Sequence, residues 1–224
     1  MTIPIGDRRM KLYYSPLSTY SQKVRIAIAE KGLDIDTEKV NLMSPEAHAA
    51  YREVYPIGKV PFLLGEDDHH VPESSIIIEY LDDKFPDTPR LSASGDGDAP
   101  RQLRCLDRMM DLYLINTVGG LLLRRIGVRT PDPMQDEKDR NWLNISYGWL
   151  DGQLAKQEYA GGDRFSIADC GAAAALFYAP EVASFDGFGN LKAYAKRLAE
   201  RDSVRGVHAE MAQVWNAIKQ RAGG

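Results

Sequence analysis

The sequence predicts a two-part protein, a mixed α/β half followed by an all-helical half. Three observations predict it. Up to about residue 90, short apolar runs alternate with helical patterns in the order strand, helix, strand, helix, two strands, helix. That order fits a compact mixed sheet with helices on both faces. Ser92 to Pro100 is then rich in Ser, Gly, Asp and Ala and has no apolar period, as a linker would be. From Arg101 onward every apolar repeat has helical spacing. The expected division is residues 10–90, a linker at 91–100, and an all-helical domain at 101–222.

The elements follow in order. Lys11 to Tyr14 is an apolar and aromatic run that ends at Ser15-Pro16, a strand entering a turn. From Tyr20 the period changes: Val24, Ala27 and Ile28 recur on one helical face, with Lys23, Arg25, Glu30 and Lys31 elsewhere on the cylinder. Gly32 follows where a left-handed C-cap is wanted. Val40 and its neighbours alternate with polar residues as a second strand does. Ser44-Pro45 then supplies an N-cap and a proline at the first helical position. Val60 to Leu64 is a third strand, with Pro61 at its start or on an edge. Gly65 to Asp68 forms a turn, and His69 to Val71 pairs back as a hairpin strand. Ser74 to Phe85 carries three β-branched isoleucines, but Ile78, Leu81 and Phe85 form a helical stripe and Pro86 stops it.

In the second half, one helix runs from Arg101 to about Val128, with a bend expected at Gly119-Gly120. A second spans Met134 to Glu158, and two shorter ones centre on Leu191 and Val204. Between them lies Phe165-Ser166-Ile167-Ala168-Asp169-Cys170. Ser166 can cap an amide near Asp169, and the Asp169 carboxylate can return to the Ser166 amide, a capping box with Asp in place of Glu. The helix it starts, Ile167 to Phe177, is apolar on all faces and therefore central. A catalytic Asp169 is the alternative, but capping accounts for both polar residues.

Composition excludes several classes. Of 224 residues 44% are hydrophobic and 27% charged, so wholesale disorder is out. The net charge of −4 argues against a nucleic-acid partner. No apolar run approaches the roughly 20 residues of a membrane helix. Met1 to Arg9 lacks the apolar stretch of a secretory signal and reads as a loose extension, so cytoplasmic residence is the expectation. Cys105 and Cys170 have no CxxC spacing and are expected to be two buried thiols. The four histidines show no metal-ligand spacing.

Three segments carry candidate chemistry. A cis bond at Val60-Pro61 would turn the Val60 N–H and C=O outward, where a peptide-like ligand can pair with them. A trans turn is the alternative. Ser74 opens a helix, so its hydroxyl and the first-turn amides can bind a carboxylate while Glu73 pairs with an ammonium. The alternative is a plain N-cap beside an exposed glutamate. Ser15 to Ser21 joins the first strand to the first helix. A thiolate is stabilised at such a helix start, and Ser18 or Ser21 can donate to it, whereas simple N-capping needs no ligand.

The order and spacing of these motifs resemble the cytosolic glutathione transferases over essentially the full chain. Lys11-Leu12-Tyr13-Tyr14-Ser15-Pro16, Lys23-Val24-Arg25 and Glu30-Lys31-Gly32-Leu33 are similar to that family's opening. Gly58-Lys59-Val60-Pro61, Glu73-Ser74 and Tyr80-Leu81 resemble its glutathione signature, and Ser166-Ile167-Ala168-Asp169 its helix-capping motif. The resemblance implies a thioredoxin-like N-terminal domain, an all-α C-terminal domain and a homodimer. It implies glutathione as co-substrate and a hydrophobic electrophile as the second substrate. It places the cysteinyl part at Val60 and Pro61, and the γ-glutamyl end at Glu73 and Ser74. Ser18 falls where serine- and cysteine-type members keep the catalytic residue. Ser18-Thr19-Tyr20-Ser21 then replaces a redox CxxC, which points to transfer chemistry. Tyr14 is the rival activator, at the place of the tyrosine-type hydroxyl. The glycyl-carboxylate position holds Glu46, the wrong charge, and Lys59 is the substitute. The co-substrate pocket is expected to draw on Pro16, Leu17, Met110, Tyr113 and Leu114. Alternatives on the same scaffold are a glutathione-dependent isomerase, dehalogenase or ether-cleaving enzyme, or a non-catalytic binding protein. The chain lacks the Ser-Ser-Cys opening of the maleylacetoacetate isomerase branch.

Overall fold

The structure, a computed structural model, describes residues 10–66 and 69–222. The extension expected at Met1–Arg9 lies outside the described residues, as do two residues of the turn expected after Gly65. In chain order the first half contains β1 (Lys11–Tyr14), α1 (Thr19–Glu30), β2 (Asp36–Lys39), α2 (Pro45–Val54), β3 (Phe62–Leu64), β4 (His70–Pro72) and α3 (Ser74–Lys84). The sheet order is β2-β1-β3-β4. β1 runs parallel to β2 and antiparallel to β3, and β4 runs antiparallel to β3. Pro61 therefore precedes a central strand and does not interrupt its ladder.

Local rules explain most boundaries. Gly32 adopts φ 65°, and the amides of Gly32 and Leu33 return to the carbonyls of Ala29 and Ile28, a Schellman closure of α1. Ser44 Oγ accepts from the Ala47 amide at 3.2 Å and Pro45 follows at the first helical position. Alternation along β1 sends Leu12 and Tyr14 into the main core, while Tyr13 packs with Val40, Tyr51 and Phe62 beneath α2.

The second half contains α4 (Asp98–Met109), a π-helical segment (Met110–Ile115), α5 (Asn116–Arg125), α6 (Pro133–Leu154), α7 (Ile167–Val182), α8 (Gly189–Glu200) and α9 (Asp202–Ala222). Three expectations need correction. Asp98 to Pro100, expected in the linker, already form the first turn of α4, because Asp98 and the following proline suit a helix N-terminus. The irregularity in the long helix is the π segment and precedes Gly119-Gly120, which sit inside regular helix. Cys105 is exposed on the outer face of α4, and only Cys170 is buried.

α7 is the axis of the helical half. Ile167 to Leu176 is entirely buried, and α1 packs on both α7 and α9, so the main core is continuous from the sheet into the helices. The capping box at its start is present. Asp169 accepts from the amides of Ser166 and Ala160, both at 2.8 Å, and from the hydroxyls of Ser166 and Tyr194, both at 2.6 Å. The Ser166 hydroxyl thus serves the Asp169 carboxylate, and Asp169 fastens α7, α8 and the preceding loop together.

Two ion pairs hold the first half in place. Lys31 Nζ meets Asp82 Oδ1 at 2.7 Å with neither side chain exposed, and Asp82 also accepts the amides of Leu91 and Ser92. At the end of α1, Glu30 accepts both arms of the Arg201 guanidinium and the Ser203 hydroxyl. Those Arg201 bonds, against the cost of burial, hold the Glu30 carboxyl below its ordinary 4.5. A depressed acid contributes stability that is fully present above about 4.5, its unfolded value, and is lost as pH falls through the folded value. Glu30→Gln is therefore expected to lose about 2 kcal/mol at pH 7. In thermal melts the gap to the unmodified protein should narrow as the pH is lowered below 4.5. A gap independent of pH would contradict this.

Candidate active site

Strand direction brings the three candidate segments to one end of the sheet. β1 ends there, β3 begins there and β4 ends there, so Ser15–Ser18, Val60-Pro61 and Glu73-Ser74 are its neighbouring exits. Electrostatics agree. Burial pushes the Tyr20 hydroxyl up, with Asp111 and then Glu73 adding to it. Burial and then Glu73 do the same to Tyr55. The Glu73 carboxylate thus acts on both the first turn of α1 and the segment that leads to Val60.

Ser18 is the N-cap of α1, in extended conformation, and its Oγ accepts from the Ser21 amide at 3.2 Å. The loop before it is fastened: Ser15 N–H donates to Ser21 Oγ, and Gln22 Nε2 donates to the carbonyls of Ser15 and Pro16. Among the described residues no acceptor takes the Ser18 hydroxyl hydrogen, which leaves it available to a ligand. Tyr14 differs. Its ring is buried beneath the Arg25 guanidinium, 4.5 Å from the ring centre, and its hydroxyl donates to Glu210 Oε1 on α9 at 3.2 Å.

The Val60-Pro61 bond is cis. Among the described residues, neither the N–H nor the C=O of Val60 has a backbone partner. The turn before it needs Gly58: its φ is 68°, and a Cβ there would lie 2.7 Å from His48 Nε2. His48 Nε2 bonds the Gly58 carbonyl at 3.0 Å and Tyr51 Oη donates to the Lys59 carbonyl at 2.7 Å. The Lys59 side chain is exposed beside this turn, and Glu46 lies on α2 with Ser44 Oγ bonded to it.

Glu73 has φ 69° and ψ 126°, outside the regions an L-residue prefers. Such a residue carries a strain of roughly 1–3 kcal/mol. It turns the chain so that α3 starts without a side-chain cap. Its carbonyl accepts the first helical bond from Ile77, so the amides of Ser74, Ser75 and Ile76 have no intrahelical acceptor. Ser74 is buried at this end. Two helix N-termini, α1 and α3, with their positive partial charge, therefore open at one end of the sheet.

The apolar groove coincides only in part with the expected co-substrate pocket. A groove of about 190 Å³ is lined by Met109, Met110, Tyr113 and Leu114, as expected for three of them, but its other wall is α6, with Trp142, Ile145 and Trp149. Pro16 and Leu17 do not line it. The side of α4 and the π segment towards α1 is polar, with Asp107 on α4 and Asp111 on the π segment. Lys23, read as an ordinary polar position of α1, is wholly buried against them. The i, i+4 pair of aspartates was the available signal, because like charges at that spacing repel unless a cation lies between them. His69 and His70 do turn apart, towards Tyr80 and Phe62 respectively. Among the described residues no group of His, Cys, Asp and Glu could hold a metal ion, and no helix is long and apolar enough to cross a membrane.

This arrangement, a thioredoxin-like sheet with two helix N-termini converging beside a cis proline and a helical second half, defines a class. The family model for the glutathione S-transferase N-terminal domain matches residues 12–89, and that for the C-terminal domain matches residues 124–202. A stringent starvation protein A homolog of Coxiella burnetii is 30% identical over 199 residues, which span 88% of this chain and 90% of that protein. A maleylacetoacetate isomerase of Pseudomonas aeruginosa is 30% identical over 188 residues, spanning 80% and 83%. Among solved structures, a glutathione transferase of Phanerochaete chrysosporium in complex with oxidized glutathione superposes with a TM-score of 0.82 at 23% identity, covering 92% of this chain and 98% of that one. The chain belongs to the glutathione S-transferase family, whose ligand is glutathione.

Proposed function

We propose that the protein is a glutathione transferase that activates the thiol of glutathione with Ser18 for attack on a hydrophobic electrophile. The observation that carries this reading is the pair of helix N-termini at one sheet end, one ending in a Ser18 hydroxyl with a free hydrogen and the other in uncapped amides. The γ-glutamyl carboxylate meets the amides of Ser74 and Ser75, and its ammonium meets Glu73. The cysteinyl backbone pairs with Val60, whose bond to Pro61 is cis, and Lys59 faces the glycyl carboxylate. Residues 10–90 then form the glutathione-binding domain, and the helices from α4 onward supply the co-substrate wall. The protein works in detoxification in the cytoplasm as a homodimer.

A free thiol titrates near ~8.5, so a useful thiolate population at neutral pH needs a depression of roughly two units, about 2.7 kcal/mol. One hydroxyl hydrogen bond and a helix N-terminus reach that magnitude. The thiol proton passes to solvent. The thiolate then forms a carbon–sulfur bond while the leaving group departs with the electron pair of the bond it breaks. Tyr14 fits the activator's role less well, because its hydroxyl hydrogen is committed to Glu210. Tyr14→Phe is expected to leave the thiolate absorbance of bound glutathione unchanged while costing about 1 kcal/mol of stability. A lost thiolate band in that variant would move the assignment from Ser18 to Tyr14.

Two relatives support other readings. The isomerase relative favours glutathione-dependent isomerisation on the same scaffold, and the starvation-protein relative carries a name that denotes no enzyme. Turnover of aryl halides, epoxides and activated alkenes with glutathione supports the transferase. Turnover confined to cis–trans isomerisation of an unsaturated diketo acid supports the second reading. Retention on immobilised glutathione without any turnover supports a binding protein.

A further inference from the structure

Lys23 has no exposed surface, and its ammonium meets three groups: Asp107 Oδ1 at 2.6 Å, Asp111 Oδ1 at 2.7 Å and Ser75 Oγ at 2.9 Å. The Ser75 hydroxyl hydrogen goes on to Asp107 Oδ2 at 2.6 Å, with Asp111 Oδ2 farther away at 3.3 Å. The cluster joins α1, α3, α4 and the π segment. Beside it Tyr20, in the first turn of α1, places its hydroxyl 3.0 Å from the Asp111 carbonyl and 3.1 Å from Asn116 Oδ1, across the widened turn of the π segment.

Stability alone is a poor account of such a cluster. Buried ion pairs cost desolvation, and apolar side chains of similar volume often replace them without loss. Its effect on α3 is more specific. A serine in the first turn of a helix tends to turn its hydroxyl onto nearby backbone groups, in competition with any ligand. Ser75 is the second residue of α3, yet its hydroxyl is turned away and committed to Asp107 and Lys23. The first-turn amides are left open. Lys23 meanwhile balances one of the two carboxylates behind that turn, which would otherwise repel an arriving anion.

We propose that Asp107, acting through Ser75, is a positioning residue for the γ-glutamyl end of glutathione. It keeps the first-turn amides of α3 free and anchors that turn to the helical half. Asp107 does not touch the ligand. The inference rests on the reading of the α3 N-terminus as the γ-glutamyl site.

The test is calorimetric titration of the full-length protein with glutathione, together with turnover at varied glutathione, for the unmodified chain, Ser75→Ala, Ser75→Thr and Asp107→Asn. Ser75→Ala and Asp107→Asn are expected to raise both Kd and KM for glutathione about tenfold and to hold kcat at saturation within about twofold. Ser75→Thr, which keeps the hydroxyl, should restore binding. If Asp107→Asn does not fold, the Ser75→Ala and Ser75→Thr pair decides alone. Unchanged Kd in Ser75→Ala, or a fall in kcat at constant KM, would overturn the inference while leaving the glutathione site intact. Failure of the unmodified protein to bind glutathione would overturn the site reading, and the inference with it.

Discussion

Asp169→Ala is expected to cost about 4 kcal/mol of folding stability, the largest loss from any single change considered for this chain. The carboxylate is buried and is the acceptor for four donors on three elements: the amides of Ala160 and Ser166 and the hydroxyls of Ser166 and Tyr194. Removing it leaves those donors without a partner where water cannot replace it, and each such loss is worth roughly 1–3 kcal/mol. Burial pushes the Asp169 carboxyl up, and the four donors oppose that rise. Losing a helix cap alone typically costs about 1 kcal/mol, so urea denaturation separates the two roles. A loss near the cap value would mean that Asp169 closes α7 and does nothing more.

Ser18→Ala is expected to lower turnover by up to about 25-fold at about pH 7, the factor by which the thiolate population falls when a thiol pKa of about 6.5 returns to about 8.5. Glutathione affinity should stay within about threefold, because the hydroxyl meets only the sulfur while the γ-glutamyl and cysteinyl contacts lie on α3 and at Val60. Stability should fall by about 1 kcal/mol as well, since Ser18 Oγ also caps the Ser21 amide. The measurement is the thiolate absorbance of the bound tripeptide beside kcat and KM. A weakened KM with an unchanged thiolate band would show that Ser18 caps α1 and has no part in the chemistry.

What was legible in the sequence was whatever short-range rules govern. The glycine that ends α1, the Ser44-Pro45 start of α2, the Ser166–Asp169 box and the β/α alternation each depend on residues within one turn or one pleat of each other. The site segments were legible for the same reason, since Ser18, Val60-Pro61 and Glu73-Ser74 each sit at an element boundary. Features set by distant contacts were not. Lys23 has the sequence appearance of a solvated helix position, and only the folding of α4 and the π segment against α1 buries it between Asp107 and Asp111. The π segment leaves no local mark, and the residue that bonds its Asp111 carbonyl, Tyr20, lies about ninety positions earlier. Glu73 carries no sign of its positive φ, because non-glycine residues enter that region only when the surrounding fold imposes it. The groove wall on α6 was not legible because Trp142, Ile145 and Trp149 recur at helical spacing as core residues do, and only the fold leaves them exposed.

The central claim is that the N-termini of α1 and α3 receive the two ends of one glutathione molecule. A crystal structure of the protein with reduced glutathione tests it most directly. The account predicts the sulfur within hydrogen-bond distance of Ser18 Oγ, the cysteinyl backbone paired with Val60, and the γ-glutamyl carboxylate on the amides of Ser74 and Ser75. Glutathione bound with its sulfur at Tyr14, or bound elsewhere with the α3 amides facing only water, would contradict it.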